Sequence, residues 1–117
     1  MKGQGAYLAH ILEAIQDIQN YASTGRDAFM ADRMRQDAII RKIEIIGEAV
    51  KNLSDEVKRL APETPWRNIA GMRDRLTHDY FGVDLGLVWS VVERELPRLK
   101  ATVTELATQS PPPPPRA

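Results

Sequence analysis

The chain has 117 residues, of which 43% are apolar, enough to build one compact core with little left for a second. Sixteen basic residues balance sixteen acidic ones, so no net positive charge draws the protein to nucleic acid, and any such affinity must come from a local cluster. The lack of cysteine excludes disulfides, thiolate metal sites and a cysteine nucleophile.

The first twenty residues follow an amphipathic pattern. His10, Glu13 and Asp17 interrupt the apolar positions, which a signal peptide or a membrane span would keep unbroken. Because the lack of cysteine also fits a reducing compartment, we expect a cytoplasmic protein without a membrane segment.

The C-terminal residues are rich in proline. The run from Pro111 to Pro115 can form an extended polyproline segment but cannot join a helix. We therefore expect one helical domain over residues 1–108 and a proline-rich tail over residues 109–117.

Apolar residues recur at three- and four-residue steps in four segments, which predicts four main helices. The first begins at about Tyr7 and ends near Tyr21 to Gly25, where turn-forming residues cluster, and a short helical piece follows at residues 26–31. The second spans about residues 32–53, and Ser54 can cap the short helical turn after it.

The third predicted helix begins at Pro65 and runs to Tyr80, with its apolar residues along one side. Asp84 can cap the fourth, which Pro97 should kink without ending. No segment shows the alternation of a strand, and the connections are short. The fold class is therefore predicted as all-α, an antiparallel helical bundle with four main helices plus short helical pieces.

The second helix carries two notable features. Gly47 in a helix interior costs about 1 kcal/mol relative to alanine, which is most simply offset if another backbone packs closely against it. Arg41, Glu44, Glu48 and Lys51 are spaced three, four and three apart and can form a ladder of ion pairs. Such a ladder is usually a solvated face, and a functional role for Glu48 is the less favoured alternative.

The third helix carries the residues best suited to chemistry, in the segment Arg73 to Tyr80. On an ideal helix with Arg73 at zero, Asp74 lies at about 100° and His78 at about 140°, so the Asp74 carboxylate can orient the imidazole. Arg75 lies near 200° on the polar side, and Tyr80 falls within about 20° of Arg73. Since about 140° separates Arg73 from His78, a cleft between two copies of this helix would bring them together more easily, which favours a homodimer.

An arginine and a histidine are the two components that a metal-free ribonuclease most needs. The histidine, which titrates near neutral pH, can accept the proton of the ribose 2′-hydroxyl as general base. The arginine stays charged and can hold the phosphate oxygens as negative charge builds up. DNA, which lacks the 2′-hydroxyl, would not be cleaved.

On spacing alone, solvated ion pairs on a helix surface are the more common explanation of these residues. His10 has no comparable neighbours, and the wide separation of the two histidines makes a metal site improbable. We therefore expect neither a metal nor another cofactor.

The stretch PWRNIAGMRDRLTHDYFGVD, residues 65–84, resembles the signature region of the HepT-like toxin ribonucleases of the HEPN superfamily. The match is an arginine, four residues, a histidine, one residue and a tyrosine. RKIEIIGEAVKNLS upstream and VWSVVERELPRLK downstream support it, so the likeness covers most of the chain.

The resemblance implies a metal-independent RNA endonuclease that acts as a homodimer and is the toxin of a toxin–antitoxin pair. In that scheme Arg73 and His78 are catalytic, and Asp74 occupies the family's polar position with Arg75 beside it. Tyr80 matches the tyrosine that the antitoxin, a minimal nucleotidyltransferase, modifies with adenylate. A negatively charged adenylate two residues from His78 would repel RNA.

Two alternatives to this enzyme remain open. The first is a non-catalytic helical dimer module that binds the nucleotidyltransferase, and the neutral net charge slightly favours this module. A DNA-binding regulator ranks last, because Asp74 and Asp79 offset the arginines of the third helix.

Overall fold

The computed structural model describes residues 3–78 and 82–109. Its elements follow one another in this order: α1 (Gln4–Tyr21), α2 (Arg26–Ala31), α3 (Arg33–Lys51), α4 (Asp55–Arg59), α5 (Trp66–Ala70), α6 (Met72–Leu76), β1 (Thr77–His78), β2 (Gly82–Val83), α7 (Leu85–Ser90), a π turn (Val91–Glu95) and α8 (Leu96–Gln109). The fold is all-α, as the sequence predicts.

Three long helices, α1, α3 and α8, supply most of the core, and α1 packs against both of the others. Their apolar residues recur every three or four positions, so each helix buries one stripe. The buried stripes are Leu8, Ile11, Ile15 and Ile18 on α1, Ile39, Ile43, Ile46 and Val50 on α3, and Leu96, Leu99, Val103 and Leu106 on α8. Burial of this kind stabilises a fold by about 1.5–3 kcal/mol per large side chain.

Side-chain caps begin three of the helices. The Asp32 carboxylate accepts a hydrogen bond from the Arg35 N–H (3.2 Å) at the start of α3. Ser54 caps α4, and Asp84 accepts from the Leu87 N–H (3.0 Å) at the start of α7. The predicted caps at Ser54 and Asp84 are thus confirmed, and each satisfies an N–H that the first helical turn leaves unpaired.

Gly47 on α3 lies directly against the backbone of α5. A Cβ added there would lie 3.0 Å from the Ala70 carbonyl oxygen. This contact confirms the prediction that a second backbone approaches the helix at Gly47, and it places the end of α5 close to α3.

An ion pair also joins α1 to α3. Lys42 Nζ lies 2.8 Å from Asp17 Oδ2, and both side chains are about 30% exposed or less. The hydrogen bond to Asp17 raises the pKa of Lys42 above its usual 10.5, against a smaller opposing effect of desolvation. The charged lysine is therefore favoured in the folded chain.

The prediction of one continuous third helix is wrong. The chain turns at Gly71 between α5 and α6, and the helix ends at Leu76 instead of Tyr80. Thr77 then takes extended dihedral angles, φ −109° and ψ 139°, and pairs antiparallel with Val83 while His78 pairs with Gly82. Gly82 has φ 80°, a left-handed conformation that favours glycine. Pro65 also lies one position earlier than expected, as the residue preceding α5.

Local hydrogen bonds explain why α6 is so short. The Thr77 hydroxyl donates to the carbonyl oxygens of Arg73 (3.3 Å) and Asp74 (3.4 Å), and the Asp84 N–H donates to the Leu76 carbonyl (2.9 Å). These contacts satisfy carbonyls that a longer helix would pair internally. They also tie the two strands to the end of α6.

Pro97 lies inside the last helical segment, which continues past it to Gln109. Proline lacks the N–H that would pair with the Glu93 carbonyl, and its ring crowds that position. The π turn at Val91–Glu95 immediately before α8 relieves this conflict by widening the helix there. The helix thus goes on through Pro97, as predicted.

No helix within residues 3–78 and 82–109 has both the length and the apolar composition needed to cross a membrane. Most of the predicted proline-rich tail lies outside the described residues, and α8 extends one residue past the predicted end of the domain, to Gln109.

Candidate functional site

Most of the predicted site residues lie on or just after α6. Arg73, Asp74 and Arg75 occupy consecutive positions on this helix and are exposed. The backbone of His78 is in β1, and its side chain lies outside what the structure describes. Tyr80 lies in the connection between β1 and β2, also outside the described residues.

Arg73 is held by a carboxylate from another helix. Its Nε lies 3.2 Å from Oε2 of Glu44 on α3, and the side chain of Arg73 remains 53% exposed. Neither Nη group donates a hydrogen bond to a residue that the structure describes. Among the described residues, therefore, none occupies the outer edge of the guanidinium, which is the edge that suits a bidentate anion.

The Arg73 cleft is a shallow cavity of about 200 Å³ between α3 and the α5–α6 turn. Its lining residues are Ile43, Glu44, Gly47, Glu48, Lys51, Ala70, Gly71, Arg73 and Asp74. Both cationic side chains in this lining are paired with carboxylates, Arg73 with Glu44 and Lys51 with Glu48 (3.2 Å in each case). The cleft is mostly polar and only partly enclosed, so a charged ligand would enter it without losing all of its water.

Asp74 lines the same cleft, and within the described part of the chain its carboxylate takes part in no hydrogen bond or ion pair. On one continuous helix, Asp74 would lie one turn from His78. Because β1 is extended, His78 is not on the helix with Asp74, and that prediction is wrong. For the same reason, the predicted helical angles of 140° between Arg73 and His78 and of 20° between Arg73 and Tyr80 do not apply.

Arg75 has different surroundings from Arg73. Its Nη2 donates to both carboxylate oxygens of Glu95 in the π turn, at 2.9 and 3.0 Å. This pair lines a separate and larger cavity of about 520 Å³ whose floor is largely apolar and includes Met72 and Leu96. The structure therefore brings Arg73 and Asp74 to one cleft and Arg75 to another.

The predicted ion-pair ladder on α3 forms only in part. Glu48 pairs with Lys51, whereas Glu44 pairs across helices with Arg73, and Arg41 makes no ion pair with a described residue. Glu44 is the site residue that sequence reasoning missed. Its spacing from Arg41 and Glu48 pointed to partners on its own helix, and nothing in the sequence indicates that α6 docks beside it.

The chain resembles known proteins over most of its length. Residues 11–106 match the family model described as ribonuclease HepT-like. A protein of Thermococcus cleftensis named as a probable ribonuclease HepT is 46% identical over 101 residues, which cover 86% of this chain and 92% of that protein. A candidate RNase of Caldanaerobacter subterraneus subsp. tengcongensis is 40% identical over 107 residues, 91% of this chain and 96% of that protein.

A third relative is longer. A protein of Methanocaldococcus jannaschii, named as a gamma-glutamylcyclotransferase and candidate RNase, is 48% identical over 101 residues, 86% of this chain. The matched region spans 46% of that protein, so the likeness concerns only part of it. No solved structure shows significant similarity to the chain.

Proposed function

Because the chain belongs to the HepT-like ribonuclease family, we propose that it is a metal-independent RNA endonuclease in which Arg73 and His78 carry out the cleavage. The exposed guanidinium of Arg73, fixed at Nε and open at its outer edge, is the observation that carries the proposal. An arginine in this state is suited to bind a phosphodiester through two parallel hydrogen bonds.

The proposed reaction uses the RNA's own 2′-hydroxyl. His78 accepts the 2′-hydroxyl proton while the 2′-oxygen attacks the adjacent phosphorus, and the bond from phosphorus to the 5′-oxygen breaks. The products are a 2′,3′-cyclic phosphate and a 5′-hydroxyl end, which takes up a proton. Arg73 stabilises the negative charge that builds up on the non-bridging oxygens.

The order of the elements supports this division of roles. Arg73 lies on α6, and His78 follows two residues after the end of α6 in β1, which pairs with β2. Just after β2, the Asp84 N–H donates to the Leu76 carbonyl at the end of α6. Both residues therefore belong to one short and locally braced segment. Such bracing limits how far the backbones of Arg73 and His78 can move relative to each other.

We further propose that the protein is the toxin of a toxin–antitoxin pair and acts as a homodimer. The antitoxin would be a minimal nucleotidyltransferase that silences the enzyme by transferring adenylate to Tyr80. In sequence Tyr80 lies two residues after His78, so the added phosphate would repel the RNA backbone near the reaction. Only the family resemblance supports the proposed homodimer, because Arg73 and His78 do not lie on one continuous helix.

Cleavage of RNA in excess chelator tests the proposed activity. Wild type should cleave, and His78→Ala and Arg73→Ala should each lose about 10²-fold or more in rate while circular dichroism shows an unchanged helical fold. Activity equal to that of wild type in both variants would reject the assignment. No cleavage by wild type, together with stable binding to the nucleotidyltransferase, would favour the non-catalytic module instead.

Silencing is tested separately with Tyr80→Phe. This variant should cleave RNA like wild type but stay active after incubation with the nucleotidyltransferase and ATP, and its mass should not increase. Continued silencing of Tyr80→Phe would show that Tyr80 is not the residue through which the nucleotidyltransferase acts.

A further inference from the structure

We propose that Glu44 is a positioning residue for Arg73, holding the guanidinium so that its outer edge faces the scissile phosphate. This inference rests on the proposed function, because it assigns Glu44 a part in the same reaction. It is carried by the ion pair between Arg73 Nε and Glu44 Oε2 at 3.2 Å.

The atom that Glu44 contacts is what makes the pair useful. A guanidinium has two edges that can bind an oxyanion, one of which contains Nε. Glu44 occupies Nε, while the Nη groups make no hydrogen bond to any described residue. A carboxylate in this place restrains the rotation of the side chain and leaves the paired Nη groups for a phosphate.

The helix that carries Glu44 is closely packed on both sides of it. Glu44 lies between two fully buried core residues of α3, Ile43 and Ile46, and its own side chain is 31% exposed. Three residues further on, Gly47 lies against the Ala70 carbonyl and sets the spacing between α3 and the segment that carries Arg73. The carboxylate is thus presented from the core helix to the shorter and more exposed α6.

The opposite role for Glu44 is that of a competitor, a carboxylate that blocks phosphate binding to Arg73. The two roles predict opposite signs. Removing a positioning carboxylate slows cleavage, whereas removing a competitor speeds it or tightens RNA binding. The sign of the effect therefore decides between them.

The chain offers a matched control for this test in Asp17. Its carboxylate is 30% exposed and pairs across helices with Lys42 on α3, as Glu44 pairs with Arg73, but Asp17 does not line the Arg73 cleft. Asp17→Asn removes a similar charge and a similar interhelical pair. It reports any loss of rate that comes only from a weaker fold.

Steady-state cleavage of RNA by full-length Glu44→Ala, Glu44→Gln and Asp17→Asn is the first measurement. Glu44→Ala should lower kcat by about 10- to 100-fold with KM changed less than threefold. Glu44→Gln should recover part of the loss, because its amide oxygen still accepts a hydrogen bond from Nε. Asp17→Asn should match wild type. A faster Glu44→Ala enzyme, or one equal to Asp17→Asn, would overturn the inference while leaving the roles of Arg73 and His78 intact.

The second measurement does not depend on activity. In protein with ¹⁵N-labelled arginine, the Arg73 Nε–H should exchange slowly with solvent in wild type and Asp17→Asn, and faster in Glu44→Ala. Unchanged exchange in Glu44→Ala would overturn the inference by showing that Glu44 does not hold Nε. Failure of the proposed function itself would appear differently, as no cleavage by wild type.

Discussion

Arg73 and Arg75 lie two residues apart on α6, and each pairs with a glutamate from another part of the chain. Arg75 donates from a single Nη to both oxygens of Glu95 and is 38% exposed. Arg73 contacts Glu44 only through Nε, is 53% exposed, and keeps its Nη groups free of described partners. The two arginines of this five-residue helix thus differ in their contacts: Arg75 links α6 to the π turn through Nη2, whereas Arg73 links α6 to α3 through Nε alone.

The position of the carboxylate partner decides which hydrogen-bond donors a surface arginine keeps. An exposed ion pair contributes only about 0–1 kcal/mol to stability, so neither pair explains the fold. What differs is how much hydrogen-bonding capacity remains after pairing. Within the described residues both Nη groups of Arg73 keep their donors, the pair that our proposal assigns to a phosphate, whereas Arg75 commits its Nη2 to a carboxylate.

Substituting lysine for each arginine should give the largest difference in RNA cleavage between the two positions. Arg73→Lys keeps the charge but loses the Nε contact and the two-pronged edge, so RNA cleavage should fall by about 10²-fold. Arg75→Lys can still reach Glu95 and should stay within threefold of wild type. Equal losses in the two variants, measured as kcat/KM on the same RNA, would show that the two arginines are not distinct in function.

The packing of α3 against α5 gives the next largest effect. Gly47→Ala gains about 1 kcal/mol of helix propensity but forces its Cβ to 3.0 Å from the Ala70 carbonyl oxygen. Overpacking against backbone costs about 1–3 kcal/mol, so the net effect should be destabilisation by about 1 kcal/mol in urea unfolding, together with slower cleavage as Arg73 is displaced.

Gly5 in α1 is the control for this substitution, because nothing lies within 4 Å of a Cβ added there. Gly5→Ala should leave the fold equally or more stable. A more stable Gly47→Ala protein with full activity would mean that the close approach to Ala70 does not fix the position of α6.

The smallest effect concerns pH. The contact with Asp17 raises the pKa of Lys42 above 10.5, so this pair contributes its stability below pH 10.5 and loses it as the pH rises through the folded-state pKa. Wild type should therefore lose its small stability advantage over Lys42→Met at high pH. An advantage that stays constant between pH 8 and pH 11.5 in urea unfolding would contradict the shift. Activity at neutral pH should not depend on this pair, in contrast to the Arg73 pair.

Much of the fold follows from the sequence because the buried face of a helix recurs every three or four residues, and the apolar residues show this spacing. The end of α1, the bounds of α2 and the caps at Ser54 and Asp84 agree with prediction, whereas α1 begins three residues earlier than Tyr7, at Gln4. Gly47 predicts the close approach of a second backbone, because glycine in a helix interior is unfavourable unless its missing side chain makes room for a neighbour.

The broken third helix could not be predicted from periodicity. Trp66, Ile69, Met72 and Leu76 are all buried at helical spacing, so a turn at Gly71 leaves the pattern unchanged. Its end at Leu76 is accompanied by hydrogen bonds from the Thr77 hydroxyl and from the Asp84 N–H, and the second of these forms only once the chain folds back through β1 and β2. The Arg73–Glu44 pair likewise depends on how α6 docks on α3, a tertiary contact that local sequence does not encode.

The proposed mechanism is tested most directly by asking whether cleavage requires the 2′-hydroxyl of the scissile nucleotide. An RNA with a single 2′-deoxy substitution at the scissile nucleotide should resist wild-type enzyme in chelator, while the unmodified RNA should yield 2′,3′-cyclic phosphate and 5′-hydroxyl ends. Cleavage of the deoxy substrate at an equal rate, or products with 3′-hydroxyl and 5′-phosphate ends, would contradict a mechanism in which His78 activates the 2′-hydroxyl and Arg73 stabilises the phosphate.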